Sequence, residues 1–275
     1  MTRLSVAAIA VLTAGTVASS PRAQTAGPLT IWNQAYQENY ERDSIADILA
    51  QAEGAYVLLD PFDPQEVEDW AAVVAALHAR GNQVAAYISI GTGEDWRADF
   101  ETLRPSLVAR QWDDWGGEYF VNMPDANVLA VMKARIDRLA GYGFDWVEFD
   151  NMDWTQDDDY RAGYGFAATA AEGTAYYQEL CAHAQSLGVR CMAKSTVEDA
   201  GMFDGVTYES YTDDMGWWDQ DGAKGFLAAG KPVIIVHYDD PDCAAALAHY
   251  IGIYGPAVSF LCETESAGGY VRLLR

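Results

Sequence analysis

Asp145-Trp146-Val147-Glu148-Phe149-Asp150-Asn151-Met152-Asp153-Trp154 is the stretch on which the reading of this chain turns. After Gly141-Tyr142-Gly143-Phe144 it begins as a short apolar run of the kind that forms a buried strand, and it ends in a burst of carboxylates and an amide. Asp and Asn also end strands simply because they form turns. The rest of the chain decides between the two readings. Asp60, Ser89, Asn122, Asp150, Lys194, Glu209 and His237 each follow an apolar run of their own, and most of the segments between them have helical spacing. Polar residues at the carboxyl ends of successive parallel strands are what the active face of a (β/α)8 barrel requires. The expected fold class is therefore α/β, a TIM-type barrel.

Working outward, Leu29 to Gln34 reads as the first strand, Ala55 to Asp60 as the second and Val84 to Ser89 as the third. Tyr119 to Asn122 reads as a fourth, followed by the central strand with Asp150, then Arg190 to Lys194, Gly205 to Glu209, Val233 to His237 and Val258 to Cys262. That makes nine candidates for a barrel of eight, so one strand is expected to be supernumerary. Helices are expected from about Gln65 to Arg80, from Asp125 to Ala140, from Thr174 to Leu187 and from Gly222 to Ala229. Asp153 to Gly165 is too polar for a regular element and reads as a loop over the barrel mouth. Trp112 and Trp115 are read as packing residues, as most tryptophans are, although either ring would also suit a sugar face.

With 275 residues, half of them hydrophobic, the chain suits one barrel domain of about 250 residues, here residues 27–275. A formal net charge of −24 argues against nucleic acid, whose phosphates would be repelled, and suits a cationic ligand as well as it suits simple solubility. Arg3, an apolar stretch from Leu4 to Val17 and the small residues Ala18-Ser19-Ser20 have the layout of a secretory signal over residues 1–26, with cleavage between 18 and 26. At roughly 14 residues the apolar part is too short for a membrane anchor. A secreted or periplasmic location follows, and a monomer is expected. In an oxidising compartment Cys181, Cys191, Cys243 and Cys262 permit two disulfides in three connectivities. Cys181 late in a helix and Cys191 at the start of the next strand make one natural pair, leaving Cys243 with Cys262.

Three segments in order carry a family likeness: Ala86-Tyr87-Ile88-Ser89-Ile90-Gly91-Thr92-Gly93-Glu94-Asp95-Trp96-Arg97, then Gly143 to Asp153, then Tyr208-Glu209. Together they resemble glycoside hydrolase family 114, the endo-α-1,4-polygalactosaminidases. The resemblance implies a TIM-type barrel that cleaves α-1,4-linked galactosamine polymers, endo-acting and with retention of anomeric configuration. By position it makes Asp150 and Glu209 the catalytic carboxylates. The sequence departs from the family pattern at Phe149, Ser195, Tyr208 and His237-Tyr238.

The residues themselves fit glycoside cleavage, which needs two carboxyl groups flanking the bond. On this reading Asp150 is the nucleophile and Glu209 the acid/base. Glu148, two residues from Asp150, projects to the same side one layer deeper, and Lys194 is its natural partner. Asp60, Tyr87, Glu94, Asn151, Asp153, Lys194, Tyr211, His237 and Tyr238 are candidates to bind substrate, a cationic or partly acetylated amino-sugar polymer, while Glu94 also has the spacing to pair with Arg97. His237 suits either a sugar contact or a cap on its strand. Two rivals stand. Asp60, Asp150, Asp153 and Asp239 would suit a divalent cation, yet no helical His–Glu arrangement accompanies them, and no metal or cofactor is expected. The other rival is a barrel that binds polysaccharide without cutting it, or a hydrolase of another glycan.

Overall fold

The computed structural model describes residues 28–33, 35, 44–62, 67, 69–195, 200–238, 240, 242–266 and 269–275, with residues 264–266 and 269–271 described by their backbone alone. The proposed signal segment, Gln34 at the end of the first expected strand, Gln65 at the start of an expected helix, and Asp239 lie outside the described residues.

Eight strands run parallel around the barrel: β1 (Ile31–Asn33), β2 (Tyr56–Leu59), β3 (Gln83–Ser89), β7 (Trp146–Asp150), β8 (Arg190–Lys194), β9 (Gly205–Tyr211), β10 (Val233–Tyr238) and β11 (Ser259–Ser266). The three intervening numbers belong to a separate antiparallel sheet, β4 (Thr92–Glu94), β5 (Leu107–Gln111) and β6 (Glu118–Val121), in the order β4-β6-β5. The supernumerary ninth candidate is thus the run ending at Asn122. It has the apolar character of a barrel strand because β6 is buried, but it pairs antiparallel to both neighbours outside the barrel. A further strand, β12 (Gly269–Leu274), runs antiparallel along the edge of β11 that faces β1. The seam is bridged by the Leu29 N–H donating to Ser259 Oγ at 2.8 Å, and the Arg272 guanidinium sits 4.1 Å from the ring centroid of Trp32.

The two-residue period of each strand sorts its side chains between two cores. Ile31, Tyr56, Leu58, Ala85, Tyr87, Trp146, Met192, Ile234, Val236 and Leu261 fill the barrel. Val57, Ala86, Val147, Phe149, Cys191, Val206, Ile235 and Phe260 face the helices instead. This alternation places Glu148 and Asp150 on the inner face above Trp146, so the central strand supplies both the apolar floor and the polar site.

The outer layer holds α1 (Ile45–Gln51), α2 (Trp70–Ala79), α3 (Phe100–Leu103), α4 (Ala126–Tyr142), α5 (Asp158–Tyr164), α6 (Ala170–Ser186), α7 (Gln220–Ala228) and α8 (Cys243–Tyr254). Local chemistry sets their ends. Asp125 caps α4 through the Asn127 N–H, and Gly143, at φ 89°, ends it in the left-handed conformation. Thr169 and Glu172 form a capping box at the start of α6. The stretch expected to be a loop contains α5, because Asp157 accepts from the Asp159 and Tyr160 N–H groups while Tyr160 and Tyr164 pack against Phe120. Trp112 packs on Phe120 at 5.0 Å, whereas Trp115 is 59% exposed, against the expectation of packing. Cys181 bonds Cys191 and Cys243 bonds Cys262, the pairing expected, each joining a helix to a neighbouring strand. No described helix is long and apolar enough to cross a membrane.

Candidate active site

Asp150 ends β7, Lys194 ends β8 and Glu209 lies near the end of β9, so the lysine strand runs between the two carboxylate strands. The Lys194 ammonium stands 2.9 Å from Asp150 Oδ1 and 2.9 Å from Glu209 Oε2. Burial works against its charge, but Asp150, Glu209 and Glu148 outweigh that and hold its pKa above the usual lysine range. Tyr87, from β3, donates its hydroxyl to Asp150 Oδ2 at 2.8 Å, and Tyr238, from β10, donates to Glu209 Oε1 at 3.0 Å. Burial first, and then the neighbouring carboxylate, push both phenols well above their ordinary range, so both remain donors. The Asn151 N–H adds a third donor to Asp150, at 2.9 Å to Oδ1.

Beneath this pair Glu148 is fully buried. Its expected partner was Lys194, but the ammonium bridges the upper carboxylates, and Glu148 Oε2 instead accepts from Thr207 Oγ1 at 2.7 Å. Oε1 has no hydrogen-bond partner among the described residues. Burial pushes this carboxyl up to about 8, with the Lys194 charge only partly opposing it.

On the flank, Asn151 takes a left-handed backbone at φ 56°, which a short polar side chain tolerates when it is held locally. Its amide donates to Ser89 Oγ at 2.9 Å, Ser89 and Thr92 are 2.5 Å apart, and Thr92 donates to Glu118 Oε2 at 2.6 Å. Since the Thr92 proton goes to Glu118, Ser89 must donate to Thr92, and the relay runs in one direction. Gly91 lets this arrangement close: a Cβ there would stand 1.7 Å from the Asn151 carbonyl oxygen. Burial pushes Glu118 up to about 7, and the hydrogen bond from Thr92 partly offsets it. Asp153, partly buried, is pushed up to about 6 by burial and by the charge of Asp150.

A second charged cluster lies beside the first. Arg97 grips Asp60 at 2.9 and 2.7 Å and Glu94 at 2.8 and 2.6 Å. Arg135 holds Asp99 at 2.9 and 2.7 Å and approaches Glu94 at 3.7 Å. Burial alone would strand these charges, and the paired geometry compensates them.

Of the residues singled out by sequence, Asp150, Glu209, Lys194, Tyr87, Asn151 and Tyr238 are therefore brought into one contiguous constellation. Asp60 and Glu94 are buried against Arg97, the latter in the i,i+3 pair its spacing suggested. His237 is fully buried, with Nδ1 at 2.8 Å from Ser210 Oγ and Nε2 at 3.2 Å from Asp240. Tyr211 stands exposed at the mouth, its ring stacked on Tyr238. Among the described residues no group of three or more His, Cys, Asp or Glu is arranged to hold a metal ion. Thr207, Thr92, Glu118 and Arg135 were missed by sequence reasoning. Thr207 was signalled by its place two residues before Glu209, on the same face of the strand. Glu118 carried no comparable signal, since it reaches the site from the accessory sheet.

A sequence model of glycoside-hydrolase family GH114 matches residues 20–275. The chain belongs to this family. GH114 is a glycoside hydrolase family, and the two carboxylates bridged by Lys194 give this member a site of the kind that glycan hydrolysis requires. Similar solved structures include Aspergillus fumigatus Ega3 in complex with galactosamine, at TM-score 0.67 and 21% identity, covering 89% of this chain and 95% of that one. The glycoside hydrolase domain of PelA from Pseudomonas aeruginosa matches at TM-score 0.62 and 19% identity, covering 90% of this chain and 97% of that one. At such identities these likenesses speak for the barrel fold alone. A protein of Deinococcus radiodurans described as uncharacterized is 31% identical over 134 residues. That match covers 47% of this chain and 42% of the length of the Deinococcus protein.

Proposed function

We propose that this GH114 member is an exported, monomeric endo-glycosidase that cleaves α-1,4-linked galactosamine-containing polysaccharide with retention. One observation carries the mechanism. Two carboxyl oxygens that each lie 2.9 Å from one ammonium nitrogen can be no farther apart than twice that distance. Retaining enzymes space their carboxyl groups by about 5 to 5.5 Å and inverting ones by about 6.5 to 9.5 Å. The bridged geometry favours the first class.

Three donors converge on Asp150, from Tyr87, Lys194 and the Asn151 N–H, against two on Glu209. Asp150 is thus the better-stabilised anion and serves as nucleophile, attacking the anomeric carbon while Glu209 gives a proton to the departing glycosidic oxygen. Glu209 then takes a proton from water, which displaces Asp150 from the glycosyl-enzyme. Lys194 keeps the two carboxyls facing each other and lends its charge to whichever of them is anionic at each step.

The amino-sugar substrate is supported by the galactosamine bound to Ega3 and by the acidic balance of the chain, −24. Endo action is what the family likeness implies. Export is supported by the signal-like segment and by the two disulfides, which suit an oxidising compartment. The test is product release from partially deacetylated α-1,4-galactosaminan, read by mass spectrometry and by the anomeric NMR signal at early times, for wild type, Asp150→Asn and Glu209→Gln. Short α-anomeric oligomers from the wild type alone are expected. Initial β-anomers would overturn retention, and polymer bound without any products would favour a binding protein.

A further inference from the structure

The mouth of the barrel is asymmetric around its two carboxylates. On the Asp150 side the nearest aromatic group, Tyr87, is buried. On the Glu209 side the aromatic residues step outward into solvent. Tyr238, bonded to Glu209, stacks on Tyr211 with ring centroids 5.4 Å apart, and Tyr211 is 41% exposed. Trp217, in the segment between β9 and α7, donates its indole N–H to the Glu209 carbonyl oxygen at 3.0 Å and is 46% exposed. Its ring rests edge-on against the buried Trp218, which donates to the Tyr254 hydroxyl at 2.7 Å and stacks on Tyr208 at 4.4 Å. Tyr211 and Trp217 are thus both partly exposed while buried rings and a hydrogen bond hold them in place.

A tryptophan held in one orientation with half its surface wet forgoes the burial that stabilises most of its kind. Such a ring is already ordered for a partner, so little conformational entropy is lost when one arrives. The charge pattern says which partner. Asp60 and Glu94, the carboxylates expected to draw a cationic sugar, are neutralised by Arg97, and Asp150 and Glu209 share the ammonium of Lys194. On the Glu209 side an ammonium would meet aromatic faces, which attract cations, and the exposed carboxylates of Asp213 and Asp214 next to Tyr211 in the same segment.

We propose that Tyr211 and Trp217 form a subsite for the non-acetylated amino sugar on the leaving-group side of the scissile bond, the sugar released when Glu209 protonates the glycosidic oxygen. This rests on the hydrolase reading above. The apolar face of the sugar lies on the rings and its protonated amine faces the aromatic and acidic groups. Acetylation would remove that charge, so this subsite selects deacetylated units next to the cleaved bond.

The experiment compares two substrates and a binding measurement for wild type, Trp217→Ala, Trp217→Phe and Tyr211→Ala. An α-1,4-galactosamine oligomer occupies the leaving-group side with a sugar, and an aryl α-galactosaminide does not. The loss of kcat/KM in Trp217→Ala is expected to be at least tenfold greater on the oligomer than on the aryl glycoside, with Trp217→Phe recovering most of it. Tyr211→Ala, which leaves the bond to the Glu209 backbone in place, is expected to show the same selective loss. Equal losses on both substrates, or none on the oligomer, would overturn the subsite. Titration of the oligomer by calorimetry into Asp150→Asn with and without Trp217→Ala separates the two readings. An oligomer that binds Asp150→Asn but that the wild type does not cut sinks the hydrolase reading, and tenfold weaker binding on losing Trp217 then still supports a sugar site on these rings. Equal binding with and without Trp217, or an oligomer neither bound nor cut, overturns it.

Discussion

Replacing Glu148 by glutamine should flatten part of the pH dependence of stability. In the unfolded chain this carboxyl ionises near its ordinary 4.5, and in the folded protein burial pushes it up to about 8. Between those values the native state keeps a proton that the unfolded state has released, so stability falls as pH rises. The contribution is fully present below the unfolded value and is lost as pH climbs through the folded one. At 1.36 kcal/mol per pKa unit, the whole window is worth about 5 kcal/mol. A glutamine side chain titrates nowhere in this range, and its oxygen can still accept from Thr207. The wild type should therefore lose about 4 kcal/mol relative to Glu148→Gln between roughly pH 5 and pH 8. Urea unfolding at intervals across that range, followed by tryptophan fluorescence, measures the difference, and the other titrating groups largely cancel between the two proteins. A difference that stays flat with pH, or that grows in favour of the wild type, would refute the assignment of Glu148 as a buried neutral acid.

Three other outcomes can be checked alongside. Arg97→Leu leaves Asp60 and Glu94 buried without their guanidinium and should cost about 3 to 5 kcal/mol in urea unfolding; a loss under about 1 kcal/mol would show that the cluster is solvated. Replacing either cystine by two serines should remove about 3 kcal/mol, since the bridges span 10 and 19 residues, and unchanged unfolding midpoints would contradict this. Glu118→Ala removes the terminal acceptor of the relay that orients Asn151, and should lower kcat about tenfold with little change in KM, the worth of one hydrogen bond. Glu118→Gln keeps an oxygen for Thr92 and should recover most of the rate, so equal losses in both variants would point to general damage.

The barrel was legible because its strands carry their own signal. Buried parallel strands read as apolar runs, and α4 starts at a cap visible in sequence, Asp125, whereas α6 begins at Ala170, before the expected Thr174. Which of the nine candidates was supernumerary stayed open where the physics is ambiguous. Tyr119 to Asn122 has the burial of a barrel strand, and nothing in four residues distinguishes an antiparallel partner from a parallel one. The helix α5 was hidden because its stability comes from the Asp157 cap and from Tyr160 and Tyr164 packing on residues distant in sequence. Polar composition alone argued for a loop there, and tertiary contact overrode it.

The carboxylates were legible as a set, with Asp150 and Glu209 singled out, but the cations that meet Asp60 and the Asp150–Glu209 pair were not. Asp60 and Asp150 look alike in sequence, each an aspartate at the end of an apolar run. Arg97 meets Asp60 with two parallel hydrogen bonds, a fork that satisfies both oxygens and fixes the carboxylate as structure. Lys194 is a single point of charge and meets one oxygen of Asp150 and one of Glu209. The remaining oxygens are touched by tyrosine hydroxyls, neutral donors that can turn aside when a sugar arrives. An arginine in place of Lys194 would have its planar fork to distribute over the same two groups, and its length would push them apart. How the oxygens of each carboxylate are satisfied is therefore set by the type of cation that reaches them, and that cation comes from a different strand or loop, beyond what local sequence displays.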